Sequence, residues 1–187
     1  VSNLYNKFLF NLHMVQGKNS QSVGRIGELS VELELTSRNW LVGNFNANIH
    51  NAAVYDLFAV KKKIKRLIRV KSYSLWKEDS GTIQYTAKKT GEIFLELDEE
   101  NKDDFVILCG VSNAKVKEYF ILPTFIVDRE LKKSNELYHK GQKKDGSKRK
   151  ITNHRALFLQ GDNNKSYWYG WREVWKKYYN NWSLLEK

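Results

Sequence analysis

Residues 55–72, YDLFAVKKKIKRLIRVKS, constrain the fold more than any other stretch of this chain. Two apolar runs rich in β-branched and aromatic residues flank a short basic turn, a pattern that predicts a β-hairpin. Alternation then assigns the faces. Asp56 falls in line with Phe58 and Val60, while Leu67, Arg69 and Lys71 share a face of the second strand. If those faces coincide, Asp56 and Lys71 meet on one side of the sheet. One reading of such a pair is an ion pair at a sheet edge. The other is a working site, with Lys61, Lys62, Lys63, Lys65 and Arg66 around the turn as a phosphate-binding cluster.

Helix and strand signals surround the hairpin. Leu4, Phe8, Leu12 and Val15 suit a helix over 1–20, and the polar break 16–22 ends it. A second helix is expected from Ser22 or Gly24 to about Thr36, with Ile26, Leu29 and Leu33 as its buried stripe and Glu28, Glu32 and Thr36 as a neighbouring line. Residues 40–45 read as a strand, and an Asn-rich loop with His50 leads into the hairpin. Residues 83–85 and 93–97 read as strands around a turn at 88–91. Asp98, Glu99, Glu100, Asp103 and Asp104 read as a solvated acidic turn. The continuous apolar run 105–111 predicts a central strand covered on both faces. Residues 118–122 form another strand, stopped by Pro123, and a helix follows to about Tyr138.

The basic segment 139–150, HKGQKKDGSKRK, reads as a mobile loop. It is a solvated charge run or an arm that contacts phosphates through Lys143, Lys144, Lys148, Arg149 and Lys150. Trp168, Trp171, Trp175, Tyr178 and Trp182 then recur as a heptad-like seam, so a C-terminal helix is expected over about 167–187, packed on the body or on a second copy. The expected organisation is one domain, 1–187, with a core over about 22–138.

Composition narrows the partners. A formal net charge of +11 favours a polyanion, either nucleic acid or an anionic membrane surface. No apolar run reaches the roughly 20 residues of a membrane span. One cysteine, Cys109, excludes an internal disulfide and a multi-cysteine zinc site, and reads as a small buried hydrophobe. It fits a reducing compartment, and no signal-peptide pattern is present, so a cytoplasmic protein is expected. No phosphate loop, GxGxxG, HExxH or GxSxG motif occurs.

The order of helix Gly27-Glu28, a strand, a hairpin with Asp56 and Arg69-x-Lys71, then more strands and a helix, resembles the PD-(D/E)xK nuclease superfamily. The likeness covers about 24–124 and includes the frame IRVKSYS around Lys71 and the later strand YFILP. It implies an α/β fold of the restriction-endonuclease-like type, a mixed central β-sheet flanked by helices. It implies that Glu28 and Asp56 hold Mg²⁺ (or Mn²⁺), that Lys71 orients or activates the attacking water, and that the partner is DNA. Arg69 departs from the pattern, because the family carries an acid or Gln there and a guanidinium has no lone pair for a metal. Two readings follow. Arg69 contacts the scissile phosphate while two acids hold one metal, or the site is degenerate and Arg69 pairs with Asp56 or Glu28. The expected function is a Mg²⁺-dependent DNA endonuclease of restriction or repair type. The alternatives are a catalytically inactive nucleic-acid-binding module or an assembly subunit dimerising through its aromatic C-terminal helix.

Overall fold

The computed structural model describes residues 20–45, 55–75, 82–86, 103–143, 145–150, 154–158 and 170–187. Helix α1 (Ser20–Ser37) leads into β1 (Leu41–Asn44), β2 (Leu57–Lys61) and β3 (Ile64–Ser74). Strands β4 (Thr82–Thr86), β5 (Asp104–Ser112) and β6 (Lys115–Pro123) follow, then α2 (Thr124–Lys140), β7 (His154–Phe158) and the short α3 (Trp171–Val174). Strands β1, β2, β3, β5 and β6 form one mixed sheet in that order, with β3 and β5 parallel and the other neighbours antiparallel. This is an α/β protein with helices on both faces of the sheet.

The expected hairpin is β2–β3, closed by Lys62 and Lys63. Lys62 takes a positive φ of 56° at the first turn position, which fits a two-residue hairpin turn without a glycine. The β5–β6 turn places both Asn113 and Ala114 at positive φ. Strand β5 is buried from Asp104 to Val111 because both of its faces are covered. On one face Tyr73, Val106, Leu108, Phe120 and Leu122 pack against Ile126, Val127 and Leu131 of α2. On the other, Leu57, Ala59, Ile68, Ile107, Cys109 and Ile121 pack against Val31 and Leu35 of α1.

Several expectations change. In α1 the buried stripe is Gly27, Val31 and Leu35, whereas Leu29 and Leu33 are 48% and 70% exposed. The sequence holds two apolar stripes, and the one containing the glycine seats deeper because Gly27 adds no side chain of its own between the helix backbone and the Ser72 and Cys109 side chains. Strand β4 pairs with β7 in a separate two-stranded sheet; residues 93–97 and 98–100 lie outside the described residues, as does the helix expected over 1–20 apart from Ser20. Asp103 is exposed, but Asp104 is wholly buried at the start of β5, not solvated.

The C-terminal aromatic seam is helical only over Trp171–Val174. It continues as two 3₁₀ turns, Lys176–Tyr178 and Trp182–Glu186. This segment crosses the β6 edge of the sheet: Asn180 N–H donates to Tyr119 O at 2.8 Å, and Tyr119 N–H donates to Asn180 Oδ1 at 3.0 Å. Trp171, Trp175 and Tyr178 therefore enter the core beneath α2, and Trp182 and Leu185 enter the core beneath α1. A straight helix cannot serve both faces of one sheet, which is why the chain turns. Trp171, Trp175, Tyr178 and Trp182 are buried within their own chain, whereas Tyr179 is exposed; Trp168 lies outside the described residues. Among the described residues, no helix is long and apolar enough to cross a membrane.

Candidate active site at the β2–β3 hairpin

Asp56 sits at a bend just before β2. Its backbone N–H donates to Ile68 O at 2.9 Å, and its Oδ2 accepts the Val70 N–H at 2.7 Å. The carboxylate thus occupies the point where β3 runs on past the end of β2, the last paired residues being Leu57 and Ile68. A carboxylate satisfied by a backbone donor is held in a defined direction. Along β3, Ile68 packs beneath α1 and Tyr73 beneath α2. Alternation therefore directs Ile68, Val70 and Ser72 towards α1, and Leu67, Arg69, Lys71 and Tyr73 towards the other face. Lys71 is exposed there.

Helix α1 reaches the same stretch of β3 from its own side. A Cβ built on Gly27 would stand 1.9 Å from Ser72 Oγ and 3.3 Å from Cys109 Cβ, so the helix backbone packs directly on these two sheet side chains. Glu28, the next residue, is brought to the level of Ser72, one residue beyond Lys71. Its side chain is 20% exposed and accepts from Arg25 Nη1 at 3.1 Å. Asp56 thus meets β3 at Val70 and Gly27 meets it at Ser72; Lys71 lies between those two positions in sequence and faces away from α1.

Arg69 is anchored on Asp104 and Tyr55. Its Nη1 donates to Asp104 Oδ1 at 3.1 Å, and its guanidinium lies 4.5 Å from the centre of the Tyr55 ring. Tyr55 donates its hydroxyl to Asp104 Oδ2 at 2.5 Å, and Thr124 donates to Oδ1 from the start of α2. Burial first, and then the bond to the Asp104 carboxylate, push the Tyr55 hydroxyl up to about 12. Sequence reasoning missed Asp104, Tyr55 and Thr124 as a group. The available signal was an acid abutting the fully apolar strand 105–111, a place where a carboxylate persists only with partners.

The basic residues divide in two. Lys62, Lys63 and Lys65 are exposed at the hairpin tip. Lys61 donates to Glu186 Oε1 at 2.6 Å and lies 5.9 Å from the Trp40 ring centre. Arg66 is 6% exposed, donates through Nε to Leu185 O at 3.0 Å, pairs with Asp103 and covers the Phe105 ring. Its charge is committed to the C-terminal segment and to Asp103, so the expectation of a phosphate contact there does not fit its surroundings. In the second basic segment Lys143, Lys148 and Lys150 are exposed, and Lys144 lies outside the described residues. Arg149 stacks 4.3 Å from the Tyr138 ring centre and donates to Gln142 O.

Among the described residues, no group of three or more His, Cys, Asp or Glu side chains is placed to hold a metal ion. Mg²⁺ asks for less, because it keeps several waters and is commonly held by one or two carboxylates together with substrate phosphate. Asp56 and Glu28 carry the oxygen donors that Mg²⁺ takes, and Asp104 balances the Arg69 charge.

No family model matches this chain, and no curated protein matches it. Its structure is similar to that of a bacterial homing endonuclease, I-Ssp6803I, with a TM-score of 0.50 over 89% of this chain and 92% of that one, at 13% sequence identity. At that identity the likeness is one of fold: a mixed five-stranded sheet flanked by helices, in an endonuclease-like arrangement.

Proposed function

We propose that this protein is a Mg²⁺-dependent DNA endonuclease, with Asp56 and Glu28 holding the metal and Lys71 serving the attacking water. The observation that carries this reading is the Asp56 carboxylate, directed by the Val70 N–H at the end of the β2–β3 ladder, with α1 packed on β3 at Ser72 through Gly27, the residue before Glu28. The fold likeness to a homing endonuclease supports it. So do the exposed Lys62, Lys63 and Lys65 at the tip of the same hairpin, which suit phosphates of the DNA backbone. Bound Mg²⁺ supplies charge stabilisation at the phosphoryl group and lowers the pKa of a water. Of the chain's own residues, Asp56 is directed by the Val70 N–H, and Lys71 presents an exposed ammonium on the face of β3 that it shares with Arg69. Incubation with supercoiled plasmid and Mg²⁺ or Mn²⁺ tests the reading. Nicking by the wild type that disappears in both Asp56→Ala and Lys71→Ala is the expected result.

A second reading has one observation in its favour. The position that carries an acid or Gln in the PD-(D/E)xK pattern holds Arg69, leaving two carboxylates at the site. A non-catalytic DNA-binding module on the same fold would bind plasmid in a salt-dependent way and nick it with neither metal.

A further inference from the structure

We infer that Lys61 forms an anion site that the Glu186 carboxylate fills in the free protein and a phosphate of the DNA backbone fills in the complex. The inference rests on the reading that the tip of the β2–β3 hairpin meets DNA, and it involves no metal. Lys61 is the last residue of β2 and pairs with Ile64 across the turn. Alternation with Leu57 and Ala59 directs it towards α1, and its ammonium lies 5.9 Å from the centre of the buried Trp40 ring. The Lys61 side chain is only 23% exposed, so its stem is largely packed. Its Nζ donates to Glu186 Oε1 at 2.6 Å. That hydrogen bond first, and then the charges of Lys61, Lys62 and Arg38, hold the Glu186 carboxyl below its usual range. Cations from the hairpin and from the turn after α1 thus act on one carboxylate, the electrostatic setting that suits a phosphate oxygen.

Two features make the carboxylate displaceable. The pair itself is weak, because the Glu186 side chain is 47% exposed and water screens the attraction. The segment that carries Glu186 is also anchored without it. Trp182 and Leu185 are buried in the core beneath α1, Arg66 Nε donates to Leu185 O at 3.0 Å, and the Arg38 guanidinium lies 5.1 Å from the Trp182 ring centre. The Glu186 side chain can therefore swing into solvent while its backbone stays seated. Lys61 meanwhile stays where its strand and the Trp40 ring hold it, ready for a second anion. Elsewhere on this side the charges are matched, Arg66 by Asp103 and Arg38 by Glu34. Lys62, Lys63 and Lys65 remain exposed and draw a polyanion to the tip. The consequence is selectivity. A lone anion must compete with a tethered carboxylate, whereas a DNA strand already held by Lys62, Lys63 and Lys65 presents its next phosphate to Lys61 at high effective concentration.

The test is a double-variant cycle on the binding of a labelled mixed-sequence DNA duplex, followed by fluorescence anisotropy without divalent metal, with urea unfolding of each variant to establish that it folds. Glu186→Gln should tighten binding about threefold, because the competing anion is gone. In that background Lys61→Ala should lower the slope of log K against log salt by about 0.9, the loss of one phosphate contact. It should also cost about threefold more affinity there than in the wild type, because Lys61 no longer exchanges one anion for another. Glu173→Gln removes the same charge from an exposed acid that lies beside Lys176 instead, and Lys61→Ala should cost no more in that background than in the wild type. Should Lys61→Ala fail to fold, Lys61→Met keeps the stem against Trp40 and replaces it. An equal cost of the Lys61 change in the wild type and in Glu186→Gln, or a salt slope that it leaves unaltered in Glu186→Gln, overturns the inference alone. A wild type that binds no duplex at low salt overturns the DNA-binding reading and this inference together.

Discussion

Replacing Gly27 by Ala tests how closely α1 approaches the sheet. In an exposed helix interior this change stabilises by about 1 kcal/mol through backbone entropy. Here the added methyl carbon would stand 1.9 Å from Ser72 Oγ, 3.2 Å from Ser72 Cβ and 3.3 Å from Cys109 Cβ. The hydroxyl can rotate aside without breaking a hydrogen bond, because Ser72 Oγ is buried and makes none. The two carbon contacts remain, and each requires α1 to give by a few tenths of an ångström. Overpacking of this kind costs about 1–3 kcal/mol, so Gly27→Ala should be destabilising by about 0–2 kcal/mol net. Ser72→Ala removes a buried hydroxyl that satisfies nothing, and should be neutral or stabilising by about 1 kcal/mol. The double variant meets only carbon contacts. It should be more stable than the sum of the single changes by about 1 kcal/mol, a coupling expected of touching residues. Urea unfolding of the four proteins at constant m measures this directly. If Gly27→Ala alone gains the full helix-propensity term, or if the two changes are simply additive, α1 does not touch β3 at Ser72 and the placement of Glu28 loses its physical basis.

Further expectations concern charge and turns. Duplex DNA binding should show a steep salt dependence, and Lys62→Ala/Lys63→Ala/Lys65→Ala should flatten the slope of log K against log salt by roughly 2.7, at about 0.9 for each phosphate no longer neutralised; an unchanged slope would remove the hairpin tip from the interface. Ala114→Gly should raise the urea midpoint, with a gain of about 1 kcal/mol, because Ala114 holds a φ of 56° that favours glycine. Arg172→Met should cost about 3–5 kcal/mol, since it leaves Glu118 buried without the Arg172 guanidinium and with the Tyr73 hydroxyl at 2.6 Å; adding Glu118→Gln should recover much of that loss. The Glu186 carboxyl is held below its usual range, chiefly by the hydrogen bond from Lys61. Its contribution to stability is therefore present above the unfolded pKa and fades as pH falls through the depressed folded value. A side-chain NMR titration should find Glu186 back in the ordinary range in Lys61→Ala.

Much of the architecture is local and is therefore readable from residues in order. The hairpin 55–72, the central strand at 105–111 and the helix after Pro123 each follow from alternation, an apolar run or a proline, signals contained within one element. Asp56 and Lys71 are legible as candidates because a short motif surrounds them, and Lys62, Lys63 and Lys65 because a hairpin tip is exposed wherever the hairpin packs. The elements, their class and the excess of positive charge are thus properties of the chain read in one dimension. Which stripe of α1 is buried is not, since it depends on Gly27 meeting Ser72 in a distant strand. Nor is the fate of Asp104, whose three donors come from segments around 55, 69 and 124. Arg66 parts from its lysine neighbours only because the folded chain sets the C-terminal turns on it. The aromatic seam, helical by its spacing, bends around the β6 edge because it has two cores to fill. The physical reason is common to all four. A side chain's periodicity states only that it needs burial or a partner, whereas the identity of that partner depends on which distant segments the closed sheet brings alongside it.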